Sequence, residues 1–199
     1  MVIPKIFIMK ANRSTKTAFL TALSCLLFIC MKSSGQEYWQ PTKAFQTGRS
    51  PGVKVKLISE NGATKTYAIV FAPGDEIMSG LNEFAVKYNV KSAHFTGIGD
   101  VETVKVGWFD KTKKMFKINA LNEQCEITSL IGDIALYDGK PVVHVHVNLA
   151  TSDGIVHGGH LLEGFVTPTL EIMMTVEPMP LYKKLSPVFG GPLIDPELK

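Results

Sequence analysis

The sequence predicts an α+β domain in which one main helix packs against a strongly curved antiparallel β-sheet. Three observations carry this expectation. Runs of strand length with alternating apolar and polar residues recur along most of the chain. Only one stretch changes to a helical period. The 17 glycines and 11 prolines supply the turns that a meander of about nine strands needs. At 199 residues, 45% hydrophobic and 20% charged, the chain can bury one core and carry a terminal extension.

Residues 36–52 read as an irregular polar lead-in containing Pro41 and Pro51. VKVKLI (Val53–Ile58) alternates and begins the sheet. Asn61-Gly62 is a hairpin-turn signal, and TKTYAIVFA continues the pairing. In PGDEIMSGLNEFAVKYN the period changes. Ile77, Leu81, Phe84, Ala85 and Tyr88 share one helical face, with Asp75 and Glu76 in the first turn. Gly80 weakens this helix slightly. VKSAHFTGIGDVETVKVGWFD reads as two strands around a glycine bend. KTKKMFKINAL and EQCEITSLIGDIALYD read as a hairpin, and DGK turns the chain into PVVHVHVNLAT. SDG turns it again into IVHGGHLLEGFV, and TPTLEIMMTVEP closes the sheet. Residues 179–199, rich in Pro and Gly, read as an extended strap. The domain proper is therefore expected at 53–178.

The first 35 residues stand apart. Met9–Gln36 has a basic start, a 14-residue apolar run from Ala18 to Met31, and small residues before Gln36. This is the layout of a secretory signal peptide. The run is shorter than the roughly 20 residues that span a bilayer. Cleavage after Gly35 would release an exported chain, periplasmic or secreted, with no stable membrane span; the alternative is an uncleaved N-terminal membrane anchor. This segment also holds Lys5, Lys10, Arg13, Lys16 and Lys32 and no acid. The 21 basic residues less these five leave 16 against 18 acidic ones, a net charge of −2 in place of the +3 of the whole chain. Such a balance argues against a polyanion partner, which normally meets a basic face. The cluster DKTKKMFK reads as a solvated hairpin tip.

Cysteine supplies no framework. Cys25 and Cys30 fall in the N-terminal segment, and Cys125 alone cannot form an intramolecular disulfide. In a strand-like run it reads as a small core or edge residue. TGIGD lacks the following helix of a dinucleotide loop. Trp39 and Trp108 read as packing residues.

HVHVNLATSDGIVHGGHL (His144–Leu161) is different, because it holds four of the five histidines. On a strand, His144 and His146 share a face about 7 Å apart. Val143, Val145 and Val147 point the other way. The SDG turn brings His160 back toward the pair, so three imidazoles from two strands could form a metal site with an open position. Zinc suits such a set best. The alternative is a set of sheet histidines satisfied by carbonyls or water. His157 has the opposite strand parity and is not expected to join. Gly158 and Gly159 allow a backbone or ligand to approach closely. Glu171 could accept a hydrogen bond from a ligating histidine, whereas Glu163 reads as an exposed strand carboxylate. No general base is evident, so whether the chain is an enzyme is left open.

Three segments together, FAPGDEIMSGLNEFAVKYNVKSAHFTGIGDV, EITSLIGDI and HVHVNLATSDGIVHGGHLLEGFVTPTLEI, resemble the plants-and-prokaryotes-conserved domain (PPC or PCC). The likeness runs from about Val53 to Glu177. It implies a mixed fold with a curved antiparallel sheet, assembled as a homotrimer. It also implies a DNA-binding alternative. In land plants the domain follows AT-hooks in nuclear DNA-binding proteins, and prokaryotic members carry a similar label. Here Gln124-Cys125-Glu126-Ile127-Thr128 lacks the Gly-Arg of the plant strand motif, and no Arg-Gly-Arg-Pro AT-hook occurs. The prokaryotic-type His144, His146 and His160 are retained. The expectation is an exported homotrimer that binds a metal ion or small ligand through its histidines.

Overall fold

The computed structural model describes residues 35–199. The expected signal peptide, with Cys25 and Cys30, lies outside the described residues apart from Gly35. Ten strands and one helix follow: β1 (Tyr38–Trp39), β2 (Lys54–Asn61), β3 (Thr64–Phe71), α1 (Ile77–Lys87), β4 (Ser92–Asp110), β5 (Met115–Leu121), β6 (Cys125–Tyr137), β7 (Lys140–Ala150), β8 (Val156–Val176), β9 (Lys183–Leu185) and β10 (Pro192–Ile194). The antiparallel sheet runs β1-β5-β4-β6-β7-β8-β3-β2, and β9 pairs with β10 separately. Because β4 also pairs with β8, the strands β4, β6, β7 and β8 close on one another. The expected curvature is therefore carried to closure.

Three details differ from the sequence reading. The glycine bend does not divide β4, which continues through a register shift between Gly97 and Gly99. At Gly99 a Cβ would meet the Thr169 carbonyl oxygen, so glycine permits the close approach of β8 there. The two closing strands are likewise one, β8, whose register shifts bend it along β4. Finally, β5 pairs with β4 and not with β6. Its turn is closed by Asp110 Oδ1, which accepts from the Thr112 and Lys113 amides at 2.9 and 3.1 Å. β6 then takes the preceding part of the same β4 edge, residues 92–101.

Helix α1 packs against β7 and β8. Glu76 is its N-cap and not a first-turn residue. The carboxylate accepts from the Met78 and Ser79 amides at 3.1 and 2.7 Å and from the Gly164 amide of β8 at 3.2 Å. Burial pushes this carboxyl up from its ordinary range, against those backbone bonds and Arg49. Gly80, a weak helix former, is needed for packing, since a Cβ there would meet the Phe71 ring. Ile69, Phe71, Leu81, Leu130, Ile134, Leu149, Leu161, Leu170, Ile172 and Met174 are fully buried. Cys125 joins this core, as its setting in the sequence implied. Trp108 does not pack as expected, being 62% exposed.

Candidate metal centre

The β6–β7 hairpin sets the first half of the site. Asp138 and Gly139 both have positive φ, as a two-residue hairpin loop demands, and Tyr137 pairs with Lys140. Counting back from that turn places His144 opposite Asp133 and His146 opposite Ile131. On the other face Val143, Val145 and Val147 are buried, so the alternation of HVHV holds. The second half comes from the turn at 151–155, where the Thr151 amide donates to the Ile155 carbonyl. Ala150 then pairs with Val156, and His146 falls directly opposite His160.

The three rings form a compact group. Centroids lie 5.1 Å apart for His144–His146, 5.1 Å for His144–His160 and 5.5 Å for His146–His160. One nitrogen from each lies within 4.8 Å of the others. His157 pairs with Leu149, is exposed and stands outside the group. His160 stacks on Phe116 at 4.5 Å with 19° between the planes.

Glu171 takes no part in this arrangement. It pairs with Val70 and Ile98, beside Asp100 and Glu126, at a different part of the sheet. The carboxylate at the histidines is Asp133. Its Oδ2 lies 3.3 Å from His144 Nδ1 and its Oδ1 lies 2.9 Å from Lys183 Nζ. Lys183 belongs to the tail, has a side chain only 2% exposed and also donates to the Val142 carbonyl at 3.3 Å. Glu163 is not a free surface carboxylate either. It is half-buried between Arg49 at 3.0 Å and Lys105 at 3.7 Å. Asp133 could have been found by counting from Asp138-Gly139. Lys183 and Phe116 could not, because their strands are not neighbours of the histidines in sequence.

The surroundings hold His146 and His160 below the ordinary imidazole range. Burial, reinforced by the His144, His146 and Lys183 charges, brings His160 down to about 3. Burial, and then His144, lowers His146 as well, against Asp133. Burial alone would raise Asp133, but hydrogen bonds from His144 and Lys183 and their charges hold it below the ordinary carboxylate range. A carboxylate that accepts from Nδ1 fixes a histidine's orientation and leaves Nε2 for an ion. Two nitrogens about 2.0–2.1 Å from a tetrahedral zinc would stand roughly 3.3 Å apart. The donors therefore need only modest side-chain rotation to meet that requirement, and three imidazole nitrogens with an oriented partner fit a borderline divalent ion.

The model of the Plants and Prokaryotes Conserved (PCC) domain matches residues 58–177. The chain belongs to this family. A PPC protein from Pyrococcus horikoshii is 33% identical; the match covers 78% of this chain and 99% of that one, with a TM-score of 0.62. A protein from Archaeoglobus fulgidus described as metal-containing is 26% identical over 71% of this chain and 96% of that one, TM-score 0.60. A protein from Ralstonia eutropha JMP134 with a provisional DNA-binding description is 29% identical over 65% and 90%, TM-score 0.61. No curated protein matches the chain. In this PCC domain the histidine group lies inside the matched segment. Trp39 and Lys183, which flank the group, lie outside it.

Proposed function

We propose that this PCC-domain protein binds one divalent transition metal, zinc foremost, through His144, His146 and His160, with an open position for a small ligand. The observation that carries the reading is the meeting of three imidazole nitrogens within 4.8 Å across the β7–β8 pair. Asp133 behind His144 and the metal-containing description of the Archaeoglobus relative support it. An ion there would act as a Lewis acid toward a bound oxygen. Metal analysis of protein purified without chelating resin tests the reading. The wild type and His157→Ala should each carry about one metal atom per chain, and His146→Ala should carry almost none. Equal metal in His146→Ala would overturn it. Because burial has already lowered His146 and His160, metal should be retained somewhat below the pH of about 6.5 at which free imidazole takes up a proton.

The protein is further proposed to be an exported homotrimer whose residues 1–35 act as the export signal. Trimerisation is supported by a row of exposed apolar residues on the outer sheet face, with Ile131 55% and Met173 49% exposed on either side of Thr96. Native protein should begin near Gln36 by N-terminal sequencing and scatter light as three chains. A monomer that retains Met1 or Met9 would contradict both statements.

DNA binding is the second reading, favoured by the description of the Ralstonia relative. Residues 36–199 carry a net charge of −2 and so lack the phosphate-neutralising charge that supplies non-specific affinity. No duplex binding tighter than about 10 μM is expected at physiological salt. A salt-sensitive gel shift at sub-micromolar protein would restore the DNA reading.

A further inference from the structure

The lead-in and the tail do more than flank the domain. A cavity of about 90 Å³ lies against His144 and His160. Its walls include Trp39 and Pro41 from the lead-in and Phe189 and Pro192 from the tail. The two segments touch, since Pro41 Cβ would stand 3.0 Å from a Cβ at Gly191. Both lie outside residues 58–177, the segment that the family model matches.

The lining is chemically one-sided. Its body is aromatic: Phe116 stacks on His160, and Phe189 meets the Phe116 ring at 5.8 Å and 71°. Trp39 is held by its indole N–H, which donates to Glu37 Oε1 at 2.6 Å. Among the described residues, its charged members are Lys43 and Lys183, and no carboxylate lines the space. Lys183 is engaged by Asp133, but Lys43 Nζ rests 3.0 Å from the centroid of the Trp39 ring, a contact that an anion could replace. The volume is well below the roughly 300–1,000 Å³ of drug-sized sites and limits the occupant to about one ring.

We infer that this cavity binds a small flat organic anion, of the class of single-ring carboxylates. The ring lies among Trp39, Phe116 and Phe189, and the carboxylate faces Lys43 and the histidine wall. The site shares His144 and His160 with the metal reading but does not require the ion.

Benzoate and its neutral isostere benzamide are the probes. They are titrated into the full chain carrying Trp108→Phe, which leaves Trp39 as the only tryptophan. Each titration is run once with chelator and once with added zinc. A ligand of about nine non-hydrogen atoms should bind in the millimolar range or better, seen as a saturable change in Trp39 fluorescence. Benzamide should bind at least about tenfold more weakly, the discrimination expected of a poorly solvated charge contact. Lys43→Gln should narrow that preference, and Phe189→Ala should weaken both probes. Benzoate and benzamide binding alike in both metal states, or no saturable change in either, would overturn the inference. The chelator arm keeps this outcome separate from the metal reading. Charge preference without metal upholds the cavity even if no ion binds, and zinc binding without charge preference removes the cavity alone.

Discussion

Between pH 7 and pH 4.5 the metal-free protein should lose about 2–3 kcal/mol of stability that a His160→Asn variant retains. The sign follows from the direction of the shift. In the folded chain burial brings His160 down to about 3, whereas in the unfolded chain the imidazole titrates near 6.5. Below 6.5 the unfolded state gains a proton that the folded state refuses. The stability contributed by a neutral His160 is therefore fully present above pH 6.5 and is lost as pH falls toward 3. Each unit is worth about 1.4 kcal/mol, and the interval to pH 4.5 spans about two. Urea unfolding with chelator present, at both pH values and in both proteins, measures the difference. Parallel losses in wild type and variant would show that His160 does not carry the acid sensitivity.

Asp133→Asn should destabilise the fold by about 3 kcal/mol, more than Lys183→Met. The asymmetry comes from burial. The Lys183 side chain is 2% exposed, so without Asp133 its ammonium keeps only the Val142 carbonyl. Asp133 is 30% exposed overall and retains His144 on Oδ2 when Lys183 is removed, although its Oδ1 is buried, so Lys183→Met should cost less, about 1–2 kcal/mol. The double variant should recover most of the loss, because it leaves no buried charge unpaired. Asp133→Asn should also weaken zinc binding about 10–100-fold by releasing the orientation of His144. Denaturation of the three variants tests the first point. An Asp133→Asn protein no less stable than Lys183→Met would refute it.

Much of this centre is legible in the linear sequence because it is local. His144, His146 and His160 sit on consecutive strands joined by a short turn, and strand parity alone separates them from His157. The helix is equally local: its apolar period marks it, and only the role of Glu76 as cap was missed. What the sequence conceals depends on pairings distant along the chain. Phe116 reaches His160 because β5 lies along β4, which in turn pairs with β8. Lys183 reaches Asp133 because the strap folds back across β6 and β7. Glu171 reads in the sequence as a carboxylate that could accept from a ligating histidine. Nothing in a strand's alternation says that register shifts along β8 carry it to another part of the sheet.

Among the described residues, the eight-stranded sheet has two outermost strands, β1 and β2, each with one side unpaired. An unpaired strand is a template on which a second chain can add main-chain hydrogen bonds, the first step of uncontrolled aggregation. β1 is only two residues long and offers little purchase. β2 is eight residues long and exposed, but it carries Lys54, Lys56 and Glu60 and breaks its regular pairing between Leu57 and Ser59. Charge and irregularity together blunt it. Copies of this chain are thus steered away from extending one another's sheet, and any ordered assembly is left to the side-chain faces.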